Sequence, residues 1–297
     1  MRAEVVSLLR CPHCGGEFAV SSASLECARG HSFDIAGQGY VNLLPGDARP
    51  GTADTAAMVA AREAFLGAGR FAGLAQTVAA TAARVISTRA VPSDDEQVPP
   101  ARRDDAVRGC VIDVGAGTGY YLAAVLEQFP DRVGLALDLS KFAMRRAAKA
   151  HGRIGAVVCD TWSQLPVRDR CAAVLLDIFA PRNASEFRRV LEPEGRLIVV
   201  TPTQRHLHEL VSALGLVSVD THKQERLDEK FASDFALVEL AVHEERLTLA
   251  AHEIAALVGM GPSSRHLEAN EVDRRIARLI ETDSVTLSVL ISVYRAR

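Results

Sequence analysis

Val111-Ile112-Asp113-Val114-Gly115-Ala116-Gly117-Thr118-Gly119-Tyr120 decides how the rest of the chain is read. An apolar run ends in three alternate glycines, and a new apolar segment follows. That order predicts a buried strand, a tight turn and the start of a helix. Glycine lets the turn's backbone approach a ligand closely, and the first turn of the helix offers free N–H groups. Alone the signal is shared by many nucleotide folds. Its spacing, however, is not the Gly-x-Gly-x-x-Gly of a pyrophosphate binder, and an acid, Asp113, stands just before it.

Outward from the loop, apolar runs and helical segments alternate. After Cys110–Val114, strands are predicted at Val133–Asp138, Ala156–Cys159, Ala172–Asp177 and Leu197–Val200. The helices between them include Ser140–Ala150. Continuous apolar strands between helices indicate a mainly parallel, doubly wound α/β sheet covered on both faces. Two further strands, near Ala236–Leu249 and Ser284–Tyr294, flank a helix at Ala251–Met260 and suit an antiparallel edge.

Carboxylates recur at the predicted strand ends. Asp138 closes the second strand nineteen residues after Gly119, where it can hold two ribose hydroxyls. Asp160 follows the third strand and can accept from an adenine amino group. Acids at successive strand ends around a glycine loop with no phosphate cradle suit S-adenosylmethionine. The competing reading is that Asp138 and Asp160 only cap helices.

Upstream, Cys11-Pro12-His13-Cys14-Gly15-Gly16 is followed by Cys27 and His31. Two thiolates with two residues between them, then a thiolate and an imidazole with three between, match a closed tetrahedral zinc site. His13 is a rival ligand, but its place inside the knuckle points it away from the ion. With four protein ligands such a zinc organises a small module and leaves no coordination site for catalysis.

The domain expectations are a zinc module over 1–45, a helical connector over 46–86, a flexible insertion over 87–108 and the sheet domain over 109–297. Ala53–Ile86 reads as two helices split at Gly67–Gly69. The insertion holds Pro92-Ser93-Asp94-Asp95-Glu96-Gln97 and Pro99-Pro100, with nothing to bury. No stretch has the length of uncharged apolar sequence that spans a membrane, and Met1–Val5 lacks the apolar run of a signal peptide. Cys110, Cys159 and Cys171 read as small buried hydrophobes, so a cytoplasmic location is expected. A net charge of −3 argues against a broad electrostatic grip on nucleic acid.

With both motifs in hand, the chain resembles the bacterial 23S rRNA guanine-N1 methyltransferases, which include the tylosin and mycinamicin resistance methylases. The resemblance runs from about Cys11 to Leu210. Beyond the zinc ribbon it rests on Gly39-Tyr40-Val41-Asn42-Leu43-Leu44-Pro45, Asp54-Thr55, Ala61-Arg62, Phe65-Leu66, Ala180-Pro181 and Arg205-His206-Leu207. It implies a class I methyltransferase (Rossmann-like) fold, zinc on Cys11, Cys14, Cys27 and His31, and a homodimer whose cleft receives an rRNA hairpin. It also implies cofactor contacts from Gly119, Tyr120, His206 and Phe71, where the family commonly has Tyr. Phe keeps the stacking face and loses the hydroxyl.

Asp113, Gly115 and Gly117 complete the expected cofactor set. Asp177, at the end of the fourth strand, is the candidate base for the guanine N1 proton, with His206 as its companion, and Phe179 is placed to stack on a base. Two other readings stand beside the rRNA methyltransferase. A small-molecule methyltransferase leaves the zinc ribbon without a task. A non-catalytic RNA-binding protein sits poorly with intact Asp113, Asp138 and glycine loop.

Overall fold

The computed structural model describes residues 1–46, 51, 53–87, 109–216, 231–261, 274–277 and 284–297. Residues 88–108 of the expected insertion lie outside these. The chain opens with a short helix α1 (Ala3–Val6) and a three-stranded antiparallel ribbon, β1 (Phe18–Ser21), β2 (Ser24–Cys27) and β3 (Ser32–Asp34). A short strand β4 (Tyr40–Asn42) leaves the ribbon for the main sheet. Two helices follow, α2 (Ala56–Gly67) and α3 (Ala72–Ser87). The Thr55 hydroxyl caps α2 by accepting the Met58 N–H. Gly69, at φ +75°, makes the break between the two helices.

The α/β succession is β5 (Cys110–Val114), α4 (Tyr120–Glu127), β6 (Gly134–Asp138), α5 (Lys141–Ala150), β7 (Ile154–Val158), β8 (Ala172–Ile178), α6 (Ala184–Val190) and β9 (Leu191–Pro202). The tail adds α7 (His208–Leu214), β10 (Phe235–Leu247), α8 (Ala251–Gly259) and β11 (Val285–Ala296). In space the strands run β10-β11-β9-β8-β5-β6-β7-β4. Strands β4 to β9 pair in parallel, while β11 pairs antiparallel with β9 and β10. The class I methyltransferase sheet and its antiparallel edge are as the sequence led us to expect. Every residue of β5, β7 and β8 is buried, which is why these strands read as unbroken apolar runs.

Two apolar clusters cover the sheet. One face packs against α2, α3, α4 and α5 through residues such as Phe65, Leu74, Leu122 and Met144. The other receives α1, the ribbon's Leu25, strand β4's Val41 and α6's Phe187. Gly155 in β7 makes room for Val5: a Cβ there would lie 2.0 Å from a Val5 methyl. The metal module is thus seated directly on the sheet, and β4 extends that sheet beyond β7.

Candidate functional site

The metal centre is built from two tight turns. Gly15 and Gly30 take φ +69° and +81°, conformations that follow each ligand turn and suit glycine. The Cys11 N–H donates to Gly16 O at 2.9 Å and the Cys27 N–H to His31 O at 3.0 Å, closing the two knuckles. The donor atoms of Cys11, Cys14, Cys27 and His31 all lie within 4.8 Å of one another. His31 Nδ1 is 3.3 Å from Cys27 Sγ and 3.5 Å from Cys11 Sγ, and Cys14 Sγ is 3.7 Å from Cys27 Sγ. Such separations fit the edges of a tetrahedron around a zinc ion bound at about 2.0–2.3 Å. His13 stacks on Phe33 instead, with ring centroids 5.7 Å apart. Three sulfurs and one nitrogen, partly buried and closed, suit structural zinc.

At the other site the glycine loop sits at the carboxyl ends of the central strands. Gly115, Gly117 and Gly119 all have positive φ. A Cβ on Gly115 would meet the Ala180 methyl at 2.5 Å, and one on Gly119 would meet Ala147 at 3.1 Å. The loop needs glycine at these positions for conformation and for space. Asp138 reaches back to it: one carboxylate oxygen accepts the Gly117 N–H at 2.9 Å and the other the Ser140 N–H at 2.8 Å. The expected ribose ligand therefore also braces the loop and the start of α5.

Asp113 is 2 % exposed, and burial, reinforced by the nearby Asp138 charge, pushes its pKa up to about 8. Burial also raises Asp138, against the two backbone N–H donors that favour its ionised form. Above the loop lies Arg62 of α2, 3.2 Å from where a Gly117 Cβ would stand. Its guanidinium pairs with Asp54 and donates to Met260 O at 3.0 Å, linking α2 to the end of α8. Burial pushes the Tyr121 phenol pKa up, with Tyr120 and Asp113 adding to the rise and Arg62 opposing it. Tyr120, the tyrosine expected at the cofactor, lines an outer cleft of about 540 Å³ between α2, α3, α4 and α5.

The remaining expected residues divide as follows. Asp160 spends both oxygens on its own turn, accepting the Trp162 N–H and the Ser163 hydroxyl. It thus braces a turn, with no helix behind it, just past the carboxyl end of β7. Phe71 is 2 % exposed and packs edge-on against Phe65, centroids 5.0 Å apart. His206 follows β9 and faces the Phe179 ring at 5.7 Å. Its Nδ1 accepts the Ser288 N–H at 3.4 Å, and burial lowers its pKa to about 4.

Asp177 is 1 % exposed, and neither of its oxygens has a hydrogen-bond partner. Burial raises its pKa well above the carboxylate range, although Arg182 and the Ala180 amide nearby favour the charged form. Asp113 is opposite Leu176 in the β5–β8 ladder, so Asp177 points to the other face of the sheet. Phe179, two residues on, has φ +54°, a strained conformation for an aromatic residue. Arg62, Asp54 and Tyr121 had no site role in the sequence reading. Their signal was membership of the stretches that carry the resemblance: Asp54-Thr55, Ala61-Arg62 and the tyrosine pair that starts at Tyr120.

Comparison with known proteins covers both sites. A family model described as "RlmA, N-terminal", a zinc ribbon, matches residues 9–49, and a methyltransferase-domain model matches residues 112–199. The chain is 47 % identical to the 23S rRNA (guanine(748)-N(1))-methyltransferase of Streptomyces fradiae, over 99 % of each chain. It is 48 % identical, over 99 % of each chain, to a Micromonospora griseorubida protein assigned to the same guanine-N(1) class. The chain belongs to the 23S rRNA (guanine-N1)-methyltransferase family. A malonyl-[acyl-carrier protein] O-methyltransferase of Herminiimonas arsenicoxydans is 37 % identical, but over only 39 % of this chain and 45 % of its own length. Membership of the rRNA methyltransferase family thus takes in ribbon, connector and tail as well as the sheet. Among the described residues no helix is long and apolar enough to cross a membrane.

Proposed function

We propose that this enzyme transfers a methyl group from S-adenosylmethionine to N1 of a guanine in a hairpin of 23S rRNA. The observation that carries the proposal is the full-length similarity to guanine-N1 methyltransferases, which includes a formed three-cysteine, one-histidine cluster. A small-molecule methyltransferase needs the sheet alone. In this reading Gly115, Gly117, Gly119, Asp113, Asp138 and Asp160 hold the cofactor, with Phe71 behind and Tyr120 and His206 at its margins. When bound, the cofactor supplies an electrophilic methyl on sulfur.

The chain's own groups must select guanine and dispose of the N1 proton. His206 is neutral at physiological pH, and its Ser288 contact assigns the ring proton to Nε2. Nε2–H is then a donor for guanine O6, where charge grows as N1 loses its proton. Once the Phe179–Pro181 turn opens, hydration relieves the burial of Asp177, Arg182 and the Ala180 amide favour its ionised form, and a carboxylate oxygen accepts that proton. Presenting N1 requires the base to leave its stack, and a hairpin loop lowers that cost.

The same reading makes the protein cytoplasmic and a homodimer, with macrolide resistance as a consequence of the methylation. Incubating the full chain with 23S rRNA and labelled cofactor, then mapping the methyl by mass spectrometry, tests it. N1-methylguanine in one hairpin is expected, with Asp177→Asn lowering kcat by about 10²–10⁴, the usual contribution of a positioned base. Transfer only to small aromatic acceptors would overturn the rRNA assignment.

A further inference from the structure

We propose that Trp162 is a base-stacking platform for the RNA, set between the cofactor end of the sheet and the metal module. It rests on the rRNA reading above and assigns that reading a contact. Trp162 is the chain's one tryptophan, and it is 62 % exposed. A large aromatic side chain left in water forgoes substantial burial energy. Here the exposure is built in, because the backbone beneath it is pinned from two sides. Asp160 accepts the Trp162 N–H at 2.9 Å and the Ser163 hydroxyl at 2.7 Å. The Asn183 side-chain amide donates to the carbonyls of Trp162 and Ser163, each at 3.0 Å.

The segment that carries Trp162 joins the two sites. Its start is tied to β6, where the Cys159 N–H donates to Asp138 O at 3.0 Å. Its end pairs with the stretch leading into the first zinc knuckle. The Arg10 N–H donates to Pro166 O at 3.0 Å, the Arg168 N–H to Leu8 O at 2.8 Å, and Leu9 bridges Val167. Trp162 therefore stands on the path from the ribose-binding carboxylate to Cys11. A second exposed aromatic, Phe179 at 43 %, lies on the turn that leads to Asn183, the residue pinning Trp162. Two exposed aromatics thus stand on two turns that the Asn183 amide ties together.

Stacking suits this molecule's electrostatics. With a net charge of −3 the protein has little general attraction for phosphate. Stacking of a base on an aromatic ring does not depend on that charge and accepts any base. An RNA with unpaired loop bases is the partner such a surface fits.

The single tryptophan makes the test direct. Full-length, zinc-loaded protein is titrated with a 23S rRNA stem–loop and with the same stem–loop carrying abasic sugars in its loop, while tryptophan emission is followed. Quenching by the first RNA and little by the second is expected. Trp162→Ala should raise the KM for RNA by about tenfold, within the range for one stacked base, with kcat changed less than about twofold. Cofactor affinity and zinc content should not move, and Trp162→Phe should recover most of the loss. Unchanged emission and KM in a protein that still methylates guanine overturn the Trp162 assignment and leave the rRNA reading standing. Emission that shifts with protein concentration in the absence of RNA places Trp162 between copies of the chain and overturns it too. A wild-type protein that transfers no methyl to rRNA overturns both.

Discussion

The ribbon and the sheet are held by different means. In β1 and β3 no residue is buried, and in β2 only Leu25 and Cys27 are. In β5 and β8 every residue is. A module of that size has too little apolar surface to fold on burial alone, so four ligands crossing it do what the core does in the sheet. The lesson is that each region fails by its own route.

The sharpest way to break the comparison is Cys27→Ser. A structural zinc in a small module contributes about 10–16 kcal/mol of apparent folding free energy, so removing a ligand should release about one ion per chain. Amide hydrogen exchange should become fast across Cys11–Asp34 while β5–β9 stay protected. The boundary is itself a prediction. Helix α1 and strand β4 flank the ribbon but are held by the sheet, through Val5 against Gly155 and Val41 against Val157. Exchange should therefore stop at both. Loss of protection throughout the sheet would show that the two regions share one folding unit.

Much of this organisation is legible in the sequence, for physical reasons. The ligand spacing is local and chemical, so Cys11, Cys14, Cys27 and His31 can be read without a fold, and His13 set aside. The parallel strands are legible because burial on both faces leaves no polar alternation. Non-local placement is not legible. Nothing in Tyr40-Val41-Asn42 announces that it adds a parallel strand beside β7, because that pairing joins segments more than a hundred residues apart. That Tyr120 and not Tyr121 lines the cleft between α2, α3, α4 and α5 depends on how Gly119, at φ +79°, starts α4. One step along a helix turns a side chain by about 100°, enough to change which neighbours it meets. Arg62, quoted only as part of the resemblance, carried no role at the loop, because an arginine on an alanine-rich helix looks like a solvated residue until α8 and the glycine loop close around it.

A second test works on the sheet's ligand end and should leave the ribbon untouched. Asp138→Ala removes a carboxylate that both braces Gly117 and is assigned to the ribose diol. A hydrogen bond to a charged group is worth about 1.5–3 kcal/mol, so cofactor affinity should fall by about 10–150-fold in calorimetry. Zinc content should stay at one per chain. Unchanged affinity would remove Asp138 from the cofactor site and leave it only the bracing role.

The smallest effect concerns Asp113, and it separates the two regions by pH. Burial raises its pKa to about 8, against about 3.9 for an exposed aspartate in the unfolded chain. Between those values the native state binds the proton that the unfolded state has lost. Stability with respect to this group therefore falls as pH rises from about 4 to about 8, and is flat above. Asp113→Asn cannot ionise, so the variant's melting temperature should decline less across that interval, leaving it a few degrees ahead of wild type near pH 8. The ribbon should respond in the opposite direction, because its ligands bind metal only when deprotonated and acid releases the ion. Melts of both proteins from pH 5 to pH 9, with zinc release followed by a chromogenic chelator, resolve the two trends. If Asp113→Asn keeps the wild-type slope, the pH dependence of the sheet lies with another buried acid, and Asp177 is the next to replace.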